Sequence, residues 1–132
     1  MRAALALLLM AGAAQADLMA DEASVLPRIL SAVPVEISDS HIGQERAVLL
    51  YDAQAGAADL VILVGAPDDR AGEVLMLARG LVWAGTMAGQ VPYLQVTANG
   101  SLQVMSMQTA IGRSPWEEVM TLAERDGQIL VA

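Results

Sequence analysis

Two dipeptides constrain this chain more than any other feature. Asn99-Gly100 lies between Tyr93-Leu94-Gln95-Val96-Thr97 and Leu102-Gln103-Val104-Met105-Ser106-Met107, and Asp126-Gly127 lies between residues 119–125 and 128–132. Asn-Gly and Asp-Gly supply the positive φ values of tight hairpin turns, and the flanking stretches are rich in strand formers. Each dipeptide therefore predicts an antiparallel strand pair. Because side chains alternate along a strand, Leu102, Val104 and Ser106 share one face of the first hairpin. Gln103, Met105 and Met107 share the other.

Upstream, the apolar runs 47–51 and 60–64 are separated by Asp52-Ala53-Gln54-Ala55-Gly56. Runs without alternation suit strands buried on both faces. Residues 73–78 form another short apolar segment after a loop over 67–72, and Val35-Glu36-Ile37 alternates ahead of a loop over 38–43. Residues 21–32 read as a short helix: Leu26, Ile29, Leu30 and Val33 recur at helical spacing, Ser24 is the cap and Pro34 closes the segment. Its apolar face is expected to pack on a sheet. The predicted fold is mainly β, an antiparallel sheet or open barrel of short hairpins with one N-terminal helix.

Asp59-Leu60-Val61-Ile62-Leu63-Val64-Gly65-Ala66-Pro67, continued by Gly72-Glu73-Val74-Leu75-Met76, resembles an FG-GAP type β-propeller repeat. The resemblance covers about 25 residues and implies a β-hairpin of an extracellular protein, with a calcium loop just before the Asp-Leu pair. In this chain that loop is degenerate. It offers Asp52, Gln54 and Asp59 as oxygen-bearing side chains, fewer than the six to eight oxygens calcium prefers, so no cofactor is expected.

Residues 1–16 have the layout of a secretory signal peptide: Met1-Arg2, an apolar run over 3–14, then Ala14-Gln15-Ala16 before Asp17. The run is too short for a membrane span, which needs roughly 20 residues. The remainder, 17–132, is expected to be a single β-rich domain in the periplasm or secreted, with no membrane span after cleavage. Arg, Ala and Gly usage with no Lys suggests a bacterial source. Net charge is −8, with seven scattered Arg, which argues against nucleic acid as a partner. Absence of Cys excludes disulfides and thiolate chemistry.

No catalytic constellation is expected. Asp39-Ser40-His41 are consecutive, whereas a triad converges from distant positions, so a small hydrolase around His41 is only an alternative. Asp68-Asp69 and Glu117-Glu118 are not spaced as paired acids across a cleft. Met105 and Met107 project from one strand face, and thioethers select Cu(I), which makes a copper-binding protein the other alternative. Core packing is the commoner use of Met. Trp116, just after Arg113, and Trp83, in a glycine-rich stretch, are the candidate binding residues. An exposed Trp beside Arg is the usual composition of a recognition hot spot, and an indole also stacks on sugars. The expected function is a non-enzymatic binding or accessory protein for a protein or cell-envelope ligand.

Overall fold

The structure, a computed structural model, describes residues 19–38, 45–65, 72–85, 91–108 and 114–131. The proposed signal peptide and the Asp39-Ser40-His41 cluster lie outside them.

A helix α1 over Ala20–Val25 opens the described chain and passes through a 3-10 turn, Leu26–Arg28, into strand β1, Ile29–Val35. The helix is shorter than the sequence suggests, and residues 29–32 belong to a strand. Helical spacing of Leu26, Ile29, Leu30 and Val33 is outweighed by the backbone ladder that Ile29–Val35 makes with β2, Glu45–Asp52. The β-branched Ile29, Val33 and Val35 also prefer that pleated surface. Ser24 is not the cap. Its hydroxyl donates to the Asp21 carbonyl within the helix, while the Met19 N–H donates to Glu22 Oε2 at 3.0 Å. No residue of Ala20–Val25 is buried, and of the expected helix face it is Leu30 and Val33, both on β1, that pack against the core. Pro34 sits inside β1, which is tolerated because β1 is an edge strand of its sheet.

From β2 the chain turns into β3, Ala57–Val64, and then β4, Glu73–Trp83, completing an antiparallel sheet in the order β1-β2-β3-β4. The apolar run of β3 occupies an interior position in that sheet. Leu60 and Ile62 are wholly inaccessible on one side, and Val61, on the other, is buried as well. Two register shifts interrupt the β3–β4 ladder. At the first, Gly80 takes a φ of +59°, and buried Asp59 accepts its N–H at 2.8 Å and Arg79 Nη1 at 3.3 Å. Asp59 thereby satisfies a backbone donor that the bulge leaves out of the ladder.

The second sheet is β5, Tyr93–Val96, β6, Leu102–Gln108, β7, Trp116–Arg125, and β8, Gln128–Val131, again antiparallel and in sequence order. Both hairpins form where expected, although in the first only the glycine of Asn99-Gly100 takes a positive φ. Val96 pairs with Leu102 across a loop containing Gly100 at φ +87°, and Arg125 pairs with Gln128 across Asp126 and Gly127, both at positive φ. The latter is the two-residue turn whose twist matches that of the strands.

One apolar cluster joins the sheets. Ala47, Leu49, Leu60 and Ile62 of the first pack with Leu94, Leu102, Val104 and Leu122 of the second. A hydrogen bond from the Leu94 N–H to Ser31 Oγ, 3.0 Å, ties β5 to β1. Among the described residues the fold is therefore two four-stranded antiparallel sheets around a shared core, with one short helix ahead of them.

Candidate functional site

Trp83 ends β4 and Trp116 begins β7, so the two sheets bring the chain's only two tryptophans together. Their ring centroids are 6.4 Å apart and the planes are inclined at 66°, an edge-to-face arrangement. Each remains 39% exposed. Neither indole is among the buried core residues.

Backbone contacts fix the Trp83 side. Trp83 lies opposite Ala57, and the Ala84 N–H donates to the Gly56 carbonyl at 3.0 Å, anchoring the strand end on the β2–β3 turn. Gly85 then passes so close to the Trp83 ring that a Cβ there would overlap Cζ2, Cε2 and Nε1. Only glycine allows that approach. Trp116 lies opposite Gln108 of β6. Two residues on, exposed Glu118 is on the same face of β7, and Glu117 is on the opposite one. Arg113 lies outside the described residues.

The other candidates are dispersed. Met105 and Met107 do share a face of β6. Met105 lies between Tyr93 and Val119, only 6% exposed, and Met107 lies opposite Glu117. Met76 and Met120 pack against the shared core. Among the described residues no group of three or more His, Asp or Glu is placed to hold a metal ion. No described helix is long and apolar enough to cross a membrane.

Glu45, which by its place in the sequence reads as an exposed turn contact of His41, is instead a buried residue. This side chain is 2% exposed at the head of β2. Its carboxylate accepts the Ile37 N–H at 2.7 Å, the Ser38 N–H at 3.1 Å and the Ser38 hydroxyl. Hydrogen bonds to a charged acceptor contribute on the order of 1.5–3 kcal/mol each, so Glu45 pins the chain leaving β1. A cleft of about 320 Å³ beside it is lined by Pro34, Val35, Glu36, Glu45, Val96 and Gly100. The only signal in the sequence is an acidic residue at the start of an apolar run, which ordinarily marks a solvated strand end.

Fold and site together define a two-sheet antiparallel β domain with an exposed aromatic corner at one end. No protein-family model matches the chain, and no curated protein or solved structure matches it either.

Proposed function

We propose that this is an exported, non-enzymatic binding or accessory protein that captures its ligand, a protein or a cell-envelope component, on Trp83 and Trp116. The observation that carries this reading is the convergence of the only two tryptophans, from different sheets, into one half-exposed corner. Large flat side chains that are held rigidly and left open to solvent are the usual anchors of recognition surfaces. Residues 1–16 supply the export signal, and the acidic balance keeps the released domain soluble.

The two indoles also provide the test. Mature protein is titrated with soluble cell-envelope fragments and fractionated periplasmic proteins while tryptophan emission is followed. A W83A/W116A double variant is compared by pull-down with the parent at matched thermal stability. Saturable emission changes and loss of capture in the double variant are expected. Equal capture by parent and variant overturns the assignment, and mature protein still carrying residues 1–16 overturns export.

A further inference from the structure

We propose that the group seated in the Trp83–Trp116 corner is a quaternary or N-alkylated ammonium of a soluble ligand, with Glu118 as its counter-charge. This rests on the reading of the corner as the capture site and narrows what it captures. Indole has the strongest quadrupole of any side chain, and its face attracts a cation within about 6 Å of the ring centroid. An edge-to-face pair has an inside corner between its two rings. With centroids 6.4 Å apart and planes at 66°, a cation in that corner lies within about 6 Å of both rings.

The Gly85 backbone runs beside the Trp83 ring, which limits the orientations open to that indole. Less ordering entropy is then lost on binding. Glu118 follows Trp116 by one pleat on the same strand face and is exposed, so the residue next to Trp116 on that face is acidic. The molecule as a whole, at −8, attracts cations and repels anions over its surface. An alkylammonium group suits this combination, since its methyl groups pack on the indoles while its charge meets both the ring faces and the carboxylate.

Choline is the probe and 3,3-dimethylbutan-1-ol its uncharged carbon isostere, both titrated into full-length mature protein at constant ionic strength and read by tryptophan emission. A saturable response to choline and none to the alcohol is expected. It should be lost in W83A and W116A and weakened about threefold to fivefold in E118Q. Equal responses to choline and to the alcohol overturn the cation assignment and leave aromatic capture standing. Absence of any choline response, or binding to phosphatidylcholine vesicles without one to free choline, also overturns it. The double-variant capture comparison judges the aromatic site separately.

Discussion

Single residues without a bulky side chain, or with a buried charge, set the local geometry. Gly85 is the sharpest case. A methyl group there collides with the Trp83 ring rather than with core atoms, so the damage should be confined to the corner. The G85A variant is therefore expected to shift and quench tryptophan emission and to weaken ligand capture. Its thermal midpoint should stay close to the parent's, and a large drop would mean that Trp83 supports the fold instead. Glu45 and Asp59 act differently. Each is a buried carboxylate engaged by backbone N–H groups, Glu45 by Ile37 and Ser38 and Asp59 by Gly80. Neither was marked as structural by its sequence context, because an acid in a strand is ordinarily a solvent-facing residue.

Turns and strand edges govern the elements. The β7–β8 hairpin closes through Asp126 at φ 53° and Gly127 at φ 77°. A side chain at Gly127 meets no neighbouring atom, so its cost is purely conformational. G127A is expected to destabilise the protein by about 1–2 kcal/mol, measured by urea unfolding. A neutral effect would show that β8 contributes nothing to stability. The sequence anticipated both hairpins here, because Asn-Gly and Asp-Gly act through backbone sterics that need no tertiary partner. It misjudged residues 29–32, whose spacing fits a helix as well as a strand. Pairing with β2 decided the matter, and that partner lies well downstream.

For the whole molecule, the consequence of a shared core is a shared fate. Leu102 is fully buried in the second sheet and belongs to the same cluster as Leu49 and Leu60 of the first. L102A is expected to cost about 2–5 kcal/mol. It should lower the midpoint of one cooperative transition, seen identically by far-ultraviolet circular dichroism and by tryptophan emission. Separate transitions for the two probes would mean that the sheets unfold independently. The same arrangement explains the site. Trp83 and Trp116 were each legible as binding candidates, but their meeting was not, since it depends on how two sheets pack.

By itself, the sequence determined the antiparallel β character, the positions of the tight turns and the acidic, cysteine-free surface, because turn chemistry, alternation and charge are local properties. Only the tertiary structure decided that the strands divide into two sheets, that Glu45 and Asp59 are buried and that the two indoles form one corner. Those features come from contacts between distant segments, which local periodicity does not encode.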